Sequence, residues 1–518
     1  MLNYKRHSKY DLSETSSLSD KDKKSRHIRS RSLSGSSESG SSRKNLKSKQ
    51  REEKENIPWT KKTICEMTER DWRIFREDHD IIIKGGRVPY PIRSWSENDL
   101  PEYILKAIRD SGYKAPTSIQ MQAIPIGLEK RDLIGLAPTG SGKSAAFLIP
   151  LIIYLNKLPP VSENRQDGPY SMILAPSREL AVQIYDEFKK FSKYTNLKAA
   201  CLVGGRSAEE QAVQLGVGVE VIIGTPGRIQ DTIERQFTTL NQCNYVIIDE
   251  ADKMIKDGFE ENLKFLLESI PATNLKSEDE KVIEEQEKEC KLGIKRYRVT
   301  IMFSATMNSS LEKLARKYLR GPSYISIGEP GAGKKQIEQQ VIFLDEHQKR
   351  EKIRNILSRT RGTAMIFVNH KNSVDSLCKT LERFNFNVIG MHGGKSQDAR
   401  EKALKGFKSG KYDVLVCTSL AARGIDVEGL SLVINYDCPK TIDDYTHRIG
   451  RTGRAGKEGT AITFLTSGDE EIFYDLREFL EHNKQHVPPE LEQHPASKIK
   501  PGAFNEKVPR SKQVVYTA

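Results

Sequence analysis

The chain has 518 residues, of which 37% are hydrophobic and 30% are charged, and its formal net charge is +13. This length is too great for one hydrophobic core and predicts two or three domains. The seven cysteines include no C-x-x-C pair, so we expect reduced thiols and neither a disulfide framework nor a structural metal site. No apolar run is long enough to span a membrane, so we expect no membrane partner, whereas the positive charge is compatible with a polyanionic one.

Residues 1–55 form a basic, serine-rich segment that holds 15 Lys and Arg against 8 Asp and Glu. The segment has too little apolar surface to offset the entropy of ordering, so we predict a disordered Arg/Ser-rich tail. Phosphorylation of its Arg-Ser repeats would reverse the local charge and alter its partners. Residues 56–93 are predicted to be an N-terminal extension, with Thr68 capping a helix over Met67–Phe75.

A glycine-rich stretch, A-P-T-G-S-G-K-S, covers Ala137–Ser144 between an apolar strand and a helical run. Gly140 and Gly142 let the backbone approach a phosphate closely, and the amides of the turn would point at the anion. The spacing predicts that Lys143 reaches the β- and γ-phosphates of a triphosphate and that Ser144 places its hydroxyl on Mg²⁺. The alternative is a glycine-rich turn without a ligand. The candidate nucleotide-binding residues of this stretch are Ala137, Pro138, Thr139, Gly140, Ser141, Gly142, Lys143 and Ser144.

The apolar run Tyr245–Ile248 ends in two carboxylates, Asp249 and Glu250, which Ala251 and Asp252 follow. A carboxylate at the tip of a buried strand beside a phosphate-binding turn is where the Mg²⁺ of a nucleotide is held, which fits Asp249. Glu250 fits a residue that orients or deprotonates the attacking water. Acidic residues also open helices for dipole reasons alone, so the four letters D-E-A-D are weak evidence by themselves. Together with the glycine-rich stretch, they resemble the DEAD-box RNA helicases.

Further stretches extend this resemblance around the nucleotide. The segment Gly112–Pro125 resembles the family's Q motif, which implies that Gln120 reads the edge of the adenine. Trp95 and Tyr113 would then pack near the base, and Asp426 would contact the ribose. Taken alone, a glutamine on a helix is more often a surface residue.

The segment His447–Arg454 reads H-R-I-G-R-T-G-R and carries three arginines. Arginine is always charged and binds bidentately, which suits phosphates undergoing transfer. The resemblance implies that Arg451 and Arg454 reach the γ-phosphate when two domains close, and the alternative is a basic loop that faces RNA. The catalytic candidates are thus Lys143, Asp249, Glu250, Arg451 and Arg454, with Ser144 and Asp249 as the Mg²⁺ ligands.

Several loops after predicted strands offer backbone amides, hydroxyls or arginines, the groups that hold a sugar–phosphate backbone. By resemblance these loops grip one RNA strand, although each alone would be an ordinary loop with a surface arginine. The RNA-binding candidates are Pro176, Ser177, Arg178, Gly204, Gly205, Thr225, Pro226, Gly227, Arg228, Gln397, Arg400, Thr418, Arg423 and Gly424. The residues implied to couple the two domains are Ser304, Thr306, His447 and Arg448. Ser419 replaces the family's usual Asp, which puts a domain-coupling hydrogen bond in doubt.

The predicted strands are near-continuous β-branched runs separated by helical segments, as in parallel sheets covered on both faces. With the resemblance, this pattern predicts an α/β fold of two tandem RecA-like, doubly wound parallel-sheet domains behind the disordered tail. We place the first domain at residues 94–328, including an exposed acidic insertion at 273–296 that we expect to be partly helical and partly mobile. Residues 329–337 are predicted to be a linker, 338–481 the second domain and 482–518 an irregular tail.

The resemblance implies an RNA-stimulated ATPase that uses ATP and Mg²⁺ to separate short RNA duplexes. Flanking stretches such as M-T-E-R-D-W-R-I-F-R-E-D and P-P-E-L-E-Q-H-P resemble the spliceosomal members that act at the 5′ splice site. They imply a nuclear location, with pre-mRNA, small nuclear RNA and spliceosomal proteins as partners. Two alternatives remain: an ATP-gated RNA clamp with negligible turnover, and another nuclear DEAD-box helicase, for ribosome biogenesis or mRNA export.

Overall fold

The structure, a computed structural model, describes residues 58–85, 88–97, 99–138, 140–205, 207–328, 337–360, 362–422, 430–453, 459–498 and 500. The predicted disordered tail and all but the last residue of the predicted linker lie outside the described residues. The same is true of five candidate site residues, Thr139, Arg423, Gly424, Asp426 and Arg454. The chain divides into two units at Met67. The described residues of the first unit, 58–66, form two short 3-10 helices, Trp59–Lys61 and Ile64–Glu66.

The strands of the described residues form two sheets, one after the other along the chain. The first contains β1 (Ile81–Lys84), β2 (Leu133–Leu136), β3 (Ser171–Leu174), β4 (Ala199–Leu202), β5 (Val221–Gly224), β6 (Tyr245–Ile248), β7 (Val299–Ser304) and β8 (Ser323–Ile327). The second contains β9 (Ile337–Phe343), β10 (Thr363–Val368), β11 (Val388–Met391), β12 (Val414–Thr418), β13 (Leu430–Asn435) and β14 (Gly459–Leu465).

Helices follow most of these strands. In the first half they are Glu69–Asp78, Glu102–Asp110, Ser118–Leu128, Lys143–Leu155, Arg178–Phe191, Ala208–Gly216, Pro226–Glu234, Ala251–Lys256, Glu260–Glu268, Glu280–Leu292 and Ser309–Tyr318. In the second half they are Lys349–Arg359, Lys371–Arg383, Gln397–Lys408, Ile442–Ile449, Glu470–His482, Pro489–Gln493 and Pro495–Lys498. Within the part of the chain that the structure describes, no helix combines the length and the apolar character needed to cross a membrane.

The first sheet has the strand order β1-β8-β2-β7-β6-β3-β5-β4. Its pairs are parallel except for β1 with β8. Every residue of β2, β3, β5 and β6 is buried, as expected for short apolar strands that helices cover on both faces. Gly135 in β2 lies against the ring of Phe303 in β7, where an added Cβ would stand 2.3 Å from the ring. Glycine at this position therefore leaves room for the Phe303 ring against β2.

The second sheet has the order β11-β12-β10-β13-β14-β9, and all its pairs are parallel. The predicted α/β fold with two tandem parallel sheets is therefore confirmed. The carboxyl ends of parallel strands lie at one edge of a sheet, which is where ligands bind in folds of this type. Each sheet thus offers one such edge.

Four strands were not predicted from the sequence: β1, β4, β8 and β9. The edge strand β9 alternates buried and exposed residues and carries polar side chains at the exposed positions. Its first residue, Ile337, had been predicted as the end of the linker. Strands of this kind lack the continuous apolar run that identifies a central strand, so their positions depend on the neighbour that they pair with.

The N-terminal extension packs on the first sheet through a capped helix. The predicted cap at Thr68 is confirmed, because the Thr68 and Asp71 side chains form a reciprocal capping box at the start of the helix Glu69–Asp78. Arg76 on this helix is buried, and its Nε donates to Gln122 Oε1 at 3.0 Å. The extension therefore contacts the helix that carries the Q motif.

The acidic insertion, residues 273–296, is anchored to the first domain rather than simply exposed. Its helix Glu280–Leu292 buries Ile283 and Cys290. Lys276 is completely buried, and its Nζ donates to Asp132 Oδ1 at 2.8 Å. The sequence did not predict this buried face, because a single lysine ahead of an acidic run gives no periodic signal that identifies its partner.

The buried ion pair predicts how the insertion contributes to stability. Replacing Lys276 by Met should lower the free energy of unfolding by about 3 kcal/mol, because the Asp132 carboxylate stays buried without its counter-ion. Lys291→Met is the control, since Lys291 pairs with Glu129 at 3.0 Å on the surface, where such a pair contributes about 0 to 1 kcal/mol. Chemical denaturation followed by circular dichroism would measure both. Equal losses in the two variants would contradict the anchoring role of Lys276.

Candidate functional site

The candidate residues of the first domain lie along the carboxyl edge of its sheet in two adjacent groups. Strands β2, β7 and β6 are neighbours, and they lead into the glycine-rich turn, Ser304 and the Asp249–Glu250 pair. The Ala137 N–H donates to the Ser304 carbonyl at 3.0 Å, which joins the turn to β7. Strands β3, β5 and β4 come next, and the loops after them carry the predicted RNA-binding residues. A nucleotide and an RNA strand would thus share one edge.

The glycine-rich stretch forms a tight turn before the helix Lys143–Leu155. Gly140 and Gly142 have φ angles of +71° and +91°, which glycine adopts without steric cost. The Lys143 side chain is buried, and its Nζ donates to the Ala137 carbonyl at 3.1 Å. The ammonium therefore lies inside the turn, bound to a backbone oxygen that a phosphate oxygen could replace.

Gln120 joins the Q-motif helix to this turn. It is completely buried; its Oε1 accepts from the Thr117 N–H at 2.9 Å and its Nε2 donates to the Gly142 carbonyl at 3.0 Å. A Cβ at Gly142 would lie 2.5 Å from that Nε2, so the contact requires glycine. The sequence did not predict this contact, and the reading of adenine by Gln120 stays a prediction.

The two aromatic residues predicted near the base occupy different environments. Trp95 is buried, and its Nε1–H has no hydrogen-bond partner within the described residues. Tyr113 is half-buried and meets the Phe191 ring edge to face, with 5.6 Å between ring centroids. Trp95 therefore holds an unused buried donor, whereas Tyr113 packs on the helix that follows β3.

The two carboxylates after β6 differ in their electrostatics. Both are buried, and the Glu250 N–H donates to Asp249 Oδ1 at 2.9 Å. Burial raises the pKa of Asp249 to about 6, although the Lys143 ammonium acts in the opposite direction. Burial would also raise the pKa of Glu250, but nearby cations outweigh it and lower that pKa to about 2; they are Lys253, Arg451 and Lys143. Glu250 is therefore ionised at neutral pH.

Arg451 belongs to the second domain and faces these carboxylates across a cleft. The cleft is lined by Lys253 from the first domain and by Asp444, His447 and Arg451 from the second. Arg451 is itself buried. The structure thus brings Arg451 close enough to Glu250 for its charge to affect that carboxyl, although the two residues lie far apart in the chain.

Asp252 connects the two domains. The Thr306 N–H and Oγ1 donate to Asp252 Oδ2 at 3.2 and 3.1 Å, and the Asp252 N–H donates to Ser304 Oγ at 3.3 Å. The same Oδ2 lies 3.9 Å from Nε2 of His447. Burial, and after it the charge of Lys253, lowers the pKa of His447 well below its usual value, so the ring is neutral. Three of the four predicted coupling residues therefore meet at Asp252.

Arg448, the fourth, is held inside the second domain. Its Nε donates to Ser419 Oγ, its Nη1 to the Asp437 carbonyl and its Nη2 to Asn369 Oδ1, each at 2.8 Å. These hydrogen bonds all lie within the second domain, and the coupling role of Arg448 stays a prediction. Ser419, where the family has Asp, accepts a hydrogen bond within the domain rather than between domains.

Two predicted RNA-binding arginines pair with carboxylates of the opposite domain. Arg178 Nη2 lies 2.6 Å from Glu401 Oε1, and Arg400 Nη2 lies 2.6 Å from Glu179 Oε1. Each arginine is followed in the sequence by the glutamate of the other pair, so two Arg-Glu dipeptides cross-pair between the domains. The sequence analysis missed both glutamates, and the dipeptide could not have indicated them, because it also occurs elsewhere in the chain.

The other described RNA-binding candidates lie in the same loops and at nearby strand ends. Ser177 caps the helix after β3, and Arg228 donates to Gln211 Oε1 at 3.3 Å and to Asp231 Oδ2 at 2.9 Å. Gly204 and Gly205 are exposed; Pro176 and Pro226 are buried; and the half-buried members are Thr225, Gly227, Gln397 and Thr418.

Comparison with known proteins identifies the relatives of this chain. Two family models match, DEAD/DEAH box helicase at residues 117–314 and Helicase conserved C-terminal domain at 348–456. DEAD-box ATP-dependent RNA helicase 21 of Oryza sativa subsp. japonica is 49% identical over 460 residues, which cover 88% of this chain and 62% of the relative. Pre-mRNA-splicing ATP-dependent RNA helicase prp28 of Neosartorya fischeri is 45% identical over 496 residues, or 94% of this chain and 61% of the relative. The structure of S. cerevisiae Dbp5 bound to RNA and ADP BeF3 matches with a TM-score of 0.63 and 25% identity, over 76% of this chain and 95% of that one.

The fold and the site define a protein of two parallel-sheet domains, with a glycine-rich turn in the first domain and an arginine of the second domain close to Glu250. The chain belongs to the DEAD-box helicase family, and the resemblance seen in the sequence is confirmed. The chain spans 62% and 61% of the lengths of these two curated relatives.

Proposed function

We propose that the protein is an ATP-dependent RNA helicase, which hydrolyses ATP to separate short RNA duplexes. The observation that carries this proposal is that Lys143 of the glycine-rich turn and Arg451 of the second domain both act on the carboxyl of Glu250. Hydrolysis of a triphosphate needs a positioned water and compensation of the developing charge, and these side chains are suited to both. Because Arg451 comes from the second domain, hydrolysis would depend on how the domains meet.

The residues at this edge fit ATP with Mg²⁺. Asp249 is a buried carboxylate whose pKa burial raises, so a divalent cation beside it would relieve an unfavourable charge. Ser144 stands in the first turn of the helix and adds a hydroxyl oxygen, and Mg²⁺ prefers oxygen ligands. Mg²⁺ supplies neutralisation of charge on the phosphate oxygens. Lys143 would exchange the Ala137 carbonyl for the β- and γ-phosphates.

The side chains around this site have separate roles in the proposed hydrolysis. Glu250, ionised at neutral pH, accepts a hydrogen bond from the attacking water and orients it. Arg451 compensates the charge that develops on the transferred phosphoryl group. Asp252 contacts Thr306 and faces His447, so a shift of the second domain would alter the surroundings of the Asp249 and Glu250 carboxylates.

RNA would bind along the edge formed by the loops after β3, β5 and β4. Arg178 lies there, and Arg400 of the second domain pairs with Glu179 beside it; the loops offer amides and hydroxyls rather than a helix that reads bases. Such contacts hold phosphate and sugar, so binding would be weakly specific for sequence, and contacts to the 2′-hydroxyl would favour RNA over DNA. The similar Dbp5 structure contains RNA and ADP BeF3, which supports a shared edge for nucleotide and RNA.

We further propose that this activity serves pre-mRNA splicing in the nucleus, at the 5′ splice site. The supporting observation is the 45% identity to a helicase named for pre-mRNA splicing. Pairing at a splice site is short, and each stacked step contributes about 1 to 2 kcal/mol, so local bending by a closing two-domain clamp would be enough. Pre-mRNA, small nuclear RNA and spliceosomal proteins would be the partners, with contacts of residues 1–55 controlled by phosphorylation.

Replacing Glu250 by Gln tests the proposed chemistry. The variant should bind ATP and RNA normally but release phosphate about 100-fold more slowly, equivalent to ~2.7 kcal/mol in the barrier, because a neutral amide orients the water poorly. RNA-stimulated phosphate release under multiple turnover is the measurement, and Glu285→Gln on the exposed face of the insertion is the control. Release within twofold of wild type would refute the role of Glu250. Tight RNA binding without turnover in the wild-type protein would indicate an ATP-gated clamp.

The crossed ion pairs predict that RNA phosphates compete with the protein's own carboxylates. Glu401→Gln should lower the RNA concentration for half-maximal ATPase activity about threefold, because Arg178 loses a partly exposed competitor of the phosphate. Glu382→Gln, on an exposed helical position, provides the control. An unchanged or higher RNA requirement in Glu401→Gln would show that this carboxylate does not compete with RNA.

Depletion of the protein from a splicing extract of its own organism tests the cellular role. Spliceosome assembly should stall before the small nuclear RNA that pairs first with the 5′ splice site leaves it, because the RNA duplex there is not opened. Added wild-type protein should restore splicing, and Lys143→Ala protein should not. Normal splicing after depletion, or a stall only after the first transesterification, would assign the protein to another RNA.

A further inference from the structure

Lys253 is a buried lysine beside Glu250, the carboxylate proposed to orient the attacking water. Neither the sequence motifs nor the proposed function assigns Lys253 a role. Its Nζ lies 2.9 Å from Glu250 Oε2, and the two side chains are only 6% and 7% exposed. Lys253 stands three residues after Glu250, on the first turn of the helix Ala251–Lys256. Glu250 is the N-cap residue of this helix, so the ion pair spans the start of the helix.

The energetics of this position argue against a merely structural lysine. Moving an ammonium group out of water is costly, and a buried ion pair is commonly no more stable than apolar residues of the same volume. Lys253 also lies near a second cation, Arg451, which disfavours its charge further. A buried charge in such a place indicates that the charge itself is needed at Glu250.

The backbone adds a second indication. Glu250 has φ and ψ angles of 52° and 47°, a left-handed conformation that costs energy in a residue with a side chain. This conformation turns the chain sharply between β6 and the helix, and the ion pair with Lys253 holds the glutamate side chain at that turn. Lys253 also lines the cleft that Asp444, His447 and Arg451 of the second domain close.

We propose that Lys253 is a positioning residue for hydrolysis: it fixes Oε2 of Glu250 so that the other carboxylate oxygen is presented to the attacking water. The proposal rests on the proposed ATPase function of the same site. It implies that Lys253 acts through Glu250, after ATP and RNA have bound, and therefore affects turnover rather than binding. The ammonium keeps the carboxylate in one orientation, and a loosely held carboxylate would orient the water in only a fraction of encounters.

Lys253→Met and Lys253→Arg test this proposal in the full-length protein. Lys253→Met should lower kcat of the RNA-stimulated ATPase about 10- to 100-fold, because the carboxylate loses its fixed orientation. KM for ATP and the RNA concentration for half-maximal activity should stay within twofold of wild type. Lys253→Arg keeps the charge and should recover most of kcat. If Lys253→Met does not fold, as judged by its thermal midpoint, Lys253→Gln takes its place.

The matched control is Lys264→Met on the next helix. Lys264 pairs with Glu261 at 2.8 Å with the same three-residue spacing, but that pair lies on the surface. Lys264→Met should therefore leave kcat unchanged. A double-mutant comparison gives the sharpest readout: in the Glu250→Gln background, Lys253→Met should have no further effect on kcat, because it acts only through Glu250.

The outcomes separate this proposal from the proposed function. An inactive wild-type protein would overturn the ATPase function itself. With an active wild type, a kcat of Lys253→Met within twofold would overturn the positioning role. A further loss of equal size in the Glu250→Gln background would overturn it as well, as would a loss that appears in KM for ATP alone.

Discussion

The buried charge of Glu250 is the constraint on which the rest of this site depends. A carboxylate in a buried position is unfavourable unless cations surround it, and here those cations come from three separate places. Lys143 belongs to the glycine-rich turn, Lys253 to the helix that Glu250 begins, and Arg451 to the second domain. Because one of the three cations is carried by the other domain, the electrostatics of the carboxylate depend on the arrangement of the two domains.

The edge proposed for RNA follows a related principle. Arg178 and Arg400 are paired with Glu401 and Glu179 of the opposite domains. Glu401 is half exposed, and ion pairs open to solvent are weak, about 0 to 1 kcal/mol, so a phosphate group could replace it at Arg178. Glu179 and Glu401 thereby occupy the positions beside the arginines where RNA phosphates would bind. These ion pairs keep the two domains in contact, and an RNA phosphate could take the place of a glutamate in them.

Asp252 lies between the end of β7 and the second domain. It receives hydrogen bonds from Thr306 after β7 and faces the neutral ring of His447. Ser304 adds a further contact from the strand beside the glycine-rich turn. A small group of short-range contacts therefore links the proposed nucleotide site with the second domain.

The sequence by itself determined the central strands, the glycine-rich turn and the carboxylates after β6. These features are local, because a buried parallel strand needs a continuous apolar run and a turn with φ near +90° needs glycine at Gly142. The sequence also sufficed to place the chain in its family. It did not reveal the strands β1, β4, β8 and β9, whose residues are identified only by the strands that they pair with.

Only the tertiary structure decided which side chains meet. It placed Gln120 against Gly142, and it buried Lys276 of the insertion against Asp132. It also gave Arg448 three hydrogen bonds within the second domain. The physical reason is that these partners are brought together by the packing of segments that lie far apart in the chain. Hydrophobic periodicity and turn residues predict local structure, and they do not identify which distant segments will pack together.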